Sequence, residues 1–247
     1  MFRRIINFLN NKEVLVKKNL LFVLMLPIFF FVVDNASALS FELYPVADGH
    51  VTKTGSTTIV YATAGYIRAG KTVSSYVAYR AAMKFDLSTI PDNYLITSAV
   101  LNLNGPYPNL PYGAMVADLY HSSYDSWVEG DSSIVNVTTP LPIVNDLLVS
   151  KSISYPSPAG WTQWDLLASN NWDSATDLTD NALTLVMKGH NESTLYSYYS
   201  WYSSNNASLR PFLSINADPI SAPMPEPASV ALVGLGLSGL LFNRRRK

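Results

Sequence analysis

Between residues 39 and 218, apolar and polar side chains alternate at every second position in several short runs. The clearest runs are Met83–Leu87, Ala99–Asn104 and Leu183–Lys188. In an extended strand this alternation places the apolar side chains on one face and the polar side chains on the other. The pattern therefore predicts antiparallel strands that each bury one face and expose the other to solvent.

The rest of this region adds further short segments rich in β-branched and aromatic residues. They lie near residues 50–53, 66–68, 114–120, 161–166, 195–202 and 212–216. Nine or ten strands with no amphipathic helix between them predict an all-β fold, with two antiparallel sheets packed as a jelly-roll-like sandwich. Four prolines between Asp131 and Pro158 predict a long irregular connection there.

The first 38 residues have the order of a secretory signal peptide. Basic residues precede an apolar run, Leu20–Val33, which is followed by Ala36, Ser37 and Ala38. The small residues Ala36 and Ala38 predict cleavage by signal peptidase after Ala38. The alternative is a retained anchor, but about 14 residues rising ~1.5 Å each fall short of a ~30 Å hydrocarbon core.

The last residues of the chain combine three features. Pro225, Glu226 and Pro227 precede an apolar stretch, Ala228–Phe242, and four basic residues complete the chain at 244–247. Basic residues beside a membrane segment stay on the cytoplasmic side, so everything before Pro225 is predicted to lie across the membrane. We expect a short transmembrane helix at 225–247 that anchors the chain in the inner membrane before processing, with residues 218–224 as a linker.

This order of Pro-Glu-Pro, apolar helix and basic terminus resembles the PEP-CTERM sorting signal. The resemblance implies recognition of Pro225, Glu226 and Pro227 by a membrane-embedded exosortase. It also implies removal of the helix and a final location at the surface, or in the extracellular matrix, of a Gram-negative bacterium that produces exopolysaccharide.

A second resemblance covers nearly all of residues 39–217. The segments at 47–51, 81–91, 97–103, 126–129, 164–166, 182–185, 202–204 and 210–213 are similar to those of a DNRLRE-type domain, and the block from Lys84 to Pro91 is the most specific. This implies a β-sandwich of secreted microbial proteins, some of which are carbohydrate-binding modules. Asn205 departs from the acidic residue that many members carry after the Tyr-Ser-Ser stretch.

Charge and cysteine content narrow the range of partners. Residues 39–218 carry 8 Lys and Arg against 15 Asp and Glu, a net charge of about −7, although the whole chain has a net charge of −1. An acidic body without a basic stripe repels phosphate backbones, so nucleic acid is excluded as a partner. The chain contains no cysteine, which removes thiolate metal sites and cysteine nucleophiles.

The aromatic segment from Tyr196 to Tyr202 is the strongest candidate for a binding surface. In a strand, Tyr199 and Trp201 share one face, whereas Tyr198 and Tyr202 share the other. Exposed flat rings suit stacking against sugars, so Tyr199 and Trp201 are predicted to bind a glycan. The alternative is that this face belongs to the sandwich core, since aromatic residues are favoured in strands in any case.

Candidates for metal binding and catalysis are sparse. Glu42, Asp48 and Asp165 could meet in space and supply oxygen ligands to a structural calcium ion, although no cofactor is required. None of the three histidines has the spacing of a metal motif, and the body contains no nucleophile elbow. We therefore expect no enzymatic activity.

Together these features predict an exported, non-catalytic surface or matrix protein that associates with exopolysaccharide or biofilm. Two alternatives remain at this point. One is a purely structural envelope or biofilm protein that acts through protein contacts. The other is a polysaccharide-degrading enzyme, for which 15 scattered carboxylates provide no distinguishing pattern.

Overall fold

A computed structural model describes residues 37–61, 63–72, 77–105, 114–129, 142–154, 159–192 and 197–220. The predicted signal segment up to Ala36 and the sorting segment at 225–247 lie outside these residues. In the part of the chain that is described, no helix has the length and apolar character needed to cross a membrane.

The described residues form twelve strands and one short helix. The strands are β1 (Leu39–Leu43), β2 (Pro45–Thr54), β3 (Thr57–Tyr61), β4 (Tyr66–Lys71), β5 (Ala78–Asp86), β6 (Tyr94–Gly105), β7 (Met115–Ser122), β8 (Leu147–Ile153), β9 (Gly160–Asp165), β10 (Ala182–Gly189), β11 (Tyr198–Tyr202) and β12 (Phe212–Pro219). The helix, α1 (Ser174–Asp180), lies between β9 and β10.

These strands form two antiparallel sheets. The smaller sheet has four strands in the order β1-β12-β6-β9. The larger has the order β11-β4-β5-β10-β7-β8, and the hairpin of β2 and β3 joins it through β5. The prediction of an all-β body with two antiparallel sheets is thus confirmed.

Two local predictions are wrong. The stretch from Asp131 to Pro158, expected to be an irregular connection, contains β8, which pairs with β7 from Met115 to Tyr120. The helix α1 was not expected because it has only seven residues and no amphipathic repeat. Its ends are nevertheless well defined, since Asp173 caps the first turn and Asn181 ends the helix in a left-handed conformation with φ of 61°.

The main core lies between the sheets and contains the residues predicted to bind a glycan. Tyr199 and Trp201 of β11 are 1% and 0% exposed. The Trp201 ring meets that of Trp164 of β9 edge-on, with centroids 6.4 Å apart, and packs against Tyr199 at 4.9 Å. The prediction of a sugar-stacking surface at Tyr199 and Trp201 is therefore wrong, because both rings form part of the core.

Gly105, at the end of β6, is required by this packing. A side chain at position 105 would overlap the Tyr199 hydroxyl group and ring. Only glycine therefore lets β6 approach β11 closely enough for Tyr199 to lie in the core.

The outer face of the larger sheet is partly covered by the segment that follows β7. Trp127 is buried there with Ala47, Val51, Ala82 and Val186. Its indole N–H donates to Thr184 Oγ1 at 3.2 Å, and Lys84 Nζ donates to the carbonyl oxygen of Trp127. This segment therefore forms a second, smaller core on the side of the sheet away from the sandwich interior.

The first and last strands of the body are neighbours. Leu39 of β1 pairs with Ala217 of β12, which is flanked on its other side by β6. After Pro219 the backbone N–H of Ile220 donates to the carbonyl oxygen of Asn93 at 2.7 Å. The chain thus enters and leaves the body at the same end of the smaller sheet.

Asp48 of β2 is a fully buried carboxylate that holds the turn after β11. It accepts hydrogen bonds from the backbone N–H of Ser204 at 2.6 Å and from the Ser204 hydroxyl at 3.0 Å. Burial raises the pKa of Asp48 to about 6, although the bonds from Ser204 act in the opposite direction and the nearby charge of Glu129 adds to the rise.

The core position of Trp201 leads to a prediction about stability. Trp201→Ala should lower the free energy of unfolding by about 3–5 kcal/mol, because it removes a buried ring and leaves a cavity. Trp161→Ala is the matched control, since that ring is exposed and its loss should cost far less. Thermal unfolding followed by circular dichroism measures both, and equal losses would contradict the assignment of Trp201 to the core.

The raised pKa of Asp48 predicts how stability varies with pH. Because the folded state holds the proton more tightly than the unfolded state, the contribution of Asp48 to stability is present at low pH and is lost as pH rises through about 6. Asp48→Asn keeps an oxygen acceptor for the Ser204 N–H but does not titrate. Between pH 4 and pH 7.5, the free energy of unfolding of this variant, measured with urea, should rise by about 2 kcal/mol relative to that of the wild type.

Asp86→Asn provides the control for this measurement. The backbone N–H of Ser88 donates to Asp86 Oδ1 and lowers the pKa of Asp86, so the pH trend of this variant should have the opposite sign. A difference between Asp48→Asn and the wild type that stays constant across this pH range would disprove the role given to Asp48.

Candidate functional site

Five tyrosines from four strands form an aromatic surface, which we call the tyrosine cluster. Its members are Tyr61 of β3, Tyr79 of β5, Tyr66 of β4, and Tyr198 and Tyr202 of β11. The ring centroids of Tyr79 and Tyr198 are 5.2 Å apart, as are those of Tyr66 and Tyr202. Tyr61 and Tyr66 are the most accessible, at 41% and 38% exposed.

The register of β4 and β11 determines which rings of the aromatic segment reach this surface. Tyr202 pairs with Tyr66, and Tyr198 pairs with Gly70. Because successive side chains of a strand point to opposite faces, burying Tyr199 and Trp201 turns Tyr198 and Tyr202 outward. The aromatic segment therefore contributes to an accessible surface through the face opposite to the one that the sequence favoured.

His50 and Arg68 complete the cluster. The imidazole of His50 stacks on Tyr61, with centroids 4.8 Å apart and planes 7° from parallel, and lies 6.0 Å from Tyr79. The Arg68 guanidinium lies 6.0 Å from the centroid of Tyr198. Burial, reinforced by the positive charge of Arg68, lowers the pKa of His50 to about 4, so this histidine is neutral near pH 7.

This arrangement is suited to binding rather than to proton transfer. Flat rings offer faces for stacking, phenol groups donate and accept hydrogen bonds, and Arg68 adds donors of fixed direction. Burial raises the pKa of Tyr79, so its phenol also stays protonated near pH 7. Because neither His50 nor Tyr79 is poised to exchange a proton near pH 7, the cluster is suited to stacking and hydrogen bonding, with Arg68 as its cation.

The three residues predicted to hold calcium do not come together. Glu42 lies on β1 and Asp165 on β9, which are the two edge strands of the smaller sheet, whereas Asp48 is buried in the larger sheet. Within the described ranges, no three acidic or histidine side chains are placed to hold a metal ion. The predicted set Glu42, Asp48 and Asp165 is therefore wrong as a single site.

The other two histidines each pair with a buried aspartate. His121 Nε2 lies 3.1 Å from Asp177 Oδ1, and this contact ties α1 to β7 and raises the pKa of His121. His190 Nδ1 lies 2.9 Å from Asp118 Oδ2. Both contacts join separate elements of the body, so we interpret these two histidines as residues that stabilise the fold.

Ser150, Asp118 and His190 are the residue types of a catalytic triad, but their geometry differs from that of a triad. Ser150 Oγ donates to Asp118 Oδ1 at 2.7 Å, the same carboxylate that His190 contacts. In a serine hydrolase the hydroxyl bonds to the histidine, which takes its proton. Here both groups bond to Asp118, so this arrangement does not activate Ser150.

The sequence pattern predicts part of this cluster but not the rest. It places Tyr198 and Tyr202 on one face, but Tyr61 and Tyr79 lie on strands that are distant in sequence, and it does not predict β3. The alternation of residues 57–61 was the signal that could have revealed β3 and the outward position of Tyr61.

Comparison with protein families finds the PEP-CTERM protein-sorting motif at residues 225–247. This match contains Pro225, Glu226 and Pro227, which lie outside the described residues. The search of curated proteins found no match to this chain. The motif indicates an exported protein that carries a C-terminal sorting signal and is processed by an exosortase.

Proposed function

We propose that this chain is a non-catalytic surface or matrix protein whose β-sandwich body associates with extracellular polysaccharide. The PEP-CTERM motif supports the route to that location. In this route signal peptidase cleaves after Ala38, the apolar stretch after Pro227 holds the precursor in the inner membrane, and the exosortase then acts at Pro225–Pro227.

The observation that carries the polysaccharide association is the tyrosine cluster. A group of five tyrosines, two of them more than one-third exposed, is unusual for a surface that only meets water. Stacking of sugar C–H faces on Tyr61 and Tyr66, with hydroxyl groups bonded to phenols and Arg68, would use every chemical feature of this surface. The sequence resemblance to DNRLRE-type β-sandwich domains, some of them carbohydrate-binding modules, supports this proposal.

The first experiment tests sorting. Replacing Pro225, Glu226 and Pro227 together by alanine should block processing, so the uncleaved precursor should accumulate in the membrane fraction of the producing bacterium. Pro223→Ala, two residues upstream of the motif, is the matched control and should be processed normally. Immunoblots of cell fractions measure both, and normal processing of the triple variant would argue against exosortase action at this site.

The second experiment tests glycan binding with exopolysaccharide extracted from the producing bacterium. Tyr61→Ala and Tyr66→Ala should each weaken binding of the full chain by about threefold to tenfold, and the double variant by more, because each removes one accessible ring. Affinity electrophoresis or a pull-down with the immobilised polymer measures the change.

Val46→Ala serves as the control for these variants, since Val46 is an exposed apolar residue outside the cluster. Unchanged affinity in the double tyrosine variant would reject the cluster as the binding surface. Absence of binding by the wild type, together with self-association of the protein, would favour a structural role through protein contacts.

A further inference from the structure

The outer face of the four-stranded sheet carries a second set of aromatic and amide side chains, which we call the amide face. Phe212 of β12, Asn102 of β6 and Gln163 of β9 lie in one row across the sheet, and Trp161 pairs with Asn104 in the adjacent row. The inward residues of the same strands, including Leu101, Leu213 and Trp164, belong to the core. Alternation therefore directs the amide face away from the sandwich interior.

Amide and hydroxyl groups form a hydrogen-bonded ladder along this face. Gln163 Nε2 donates to Asn102 Oδ1 at 3.1 Å, and Asn102 Nδ2 donates to Ser214 Oγ at 3.2 Å. These bonds fix the direction of each polar group, while the exposed Gln163 keeps donor and acceptor positions free for a ligand. Asn102, in the middle of the ladder, is only 4% exposed, so it orients its neighbours from beneath, and Gln163 and Ser214 are the members that a ligand can reach.

Aromatic rings occupy one end of the ladder. Trp161 meets Phe212 edge-on with centroids 5.2 Å apart, and Tyr44 lies 6.4 Å from Phe212. Trp161 is 46% exposed, whereas Trp127, Trp164, Trp172 and Trp201, the other four of the chain's five tryptophans, are at most 6% exposed. A large ring held in the open beside oriented amides is suited to a ligand with apolar faces and many hydroxyl groups.

The charges on this face favour an uncharged ligand. Glu42 and Asp165 share a row with Ser214 and place exposed carboxylates at both edges of the sheet, where they would repel a uronate chain. Among the described residues, Lys151 and Arg210 border the face and offset the charges of Glu42 and Asp165, so the face as a whole offers a uronate chain no net attraction. Lys151 Nζ donates to the carbonyl oxygen of Gln163 at 2.8 Å, and the Arg210 guanidinium stacks on Tyr44 at 3.4 Å.

From these observations we infer that the amide face is a second binding site, separate from the tyrosine cluster, and that it takes a neutral polysaccharide chain. The sugar rings stack on Trp161, and their hydroxyl groups bond to Gln163, which the ladder holds in place. Since Trp201 points from β11 toward Trp164 of β9, the outward sides of these strands face opposite directions. Tyr198 and Tyr202 therefore lie on the opposite side from Trp161 and Gln163, and because the two sites share no strand, one molecule can bind two glycan chains.

Trp161 provides a direct reporter for this site. Acrylamide should quench the fluorescence of this exposed tryptophan far more than that of the four buried ones. The full chain in mild detergent is titrated with cellohexaose, xylohexaose and mannohexaose, and with a hexamer of mannuronate. At least one neutral hexamer should reduce the quenching of Trp161 at least twofold, and the mannuronate hexamer should not.

Variants then assign the effect to this face. Trp161→Ala and Gln163→Leu should each weaken binding of that neutral hexamer, measured by calorimetry, by about tenfold. Leu95→Ala, an exposed apolar position toward the opposite end of the same sheet, should leave it unchanged. The double tyrosine-cluster variant, Tyr61→Ala with Tyr66→Ala, should also retain Trp161 protection.

The remaining outcomes would overturn the inference. Binding of no neutral hexamer, protection of Trp161 by mannuronate alone, or protection that depends on protein concentration without sugar would each reject a neutral-glycan site here. Sugar binding that survives Trp161→Ala but is lost in the tyrosine-cluster variant would reject the amide face and leave the proposed function intact. Loss of binding only in the amide-face variants would instead support the inference and reject the tyrosine cluster as the binding surface.

Discussion

The packing of Trp201 against Trp164 between the two sheets determines what the molecule presents to its surroundings. Each ring comes from a strand whose side chains alternate, so placing these two in the core fixes the outward direction of their neighbours. Tyr198 and Tyr202 emerge on one side, and Trp161 and Gln163 on the other. A register shift of one residue in β11 or β9 would exchange the core with the surface, so the stability of the core and the identity of both surfaces depend on the same constraint.

Much of the fold could be predicted because alternation is a local property of the sequence. The runs at residues 83–87, 99–104 and 183–188 correspond to the end of β5, the second half of β6 and the centre of β10, and all three strands lie in the middle of their sheets. The elements that were missed are at sheet edges or are short. The strands β1, β3 and β8 each pair with a single neighbour, and α1 has only seven residues. These elements are therefore stabilised mainly by contacts with the rest of the body, and their own sequences give little sign of them.

The candidate surfaces were harder to predict, since alternation defines two faces without saying which one is buried. For the segment around Tyr199, both faces carry aromatic rings, and only the contact with β6 and β9 decides between them. Asp48 illustrates a related difficulty. Its partner Ser204 is 156 residues away, and an isolated carboxylate in the sequence gives no indication of such a bond. Contacts between residues distant in sequence therefore determine which rings are accessible and, by burying Asp48, raise the pKa of this acid.

The position of β12 has a mechanical consequence. This strand is the last of the body, and it is hydrogen-bonded on both sides, to β1 and to β6, along most of its length. A pulling force applied beyond Pro219 in the direction of β12 would load these bonds in shear, so that many would have to break together. A terminal strand at a sheet edge, pulled perpendicular to its length, would instead peel away bond by bond. The pairing of β12 on both sides thus resists tension that is applied along this strand.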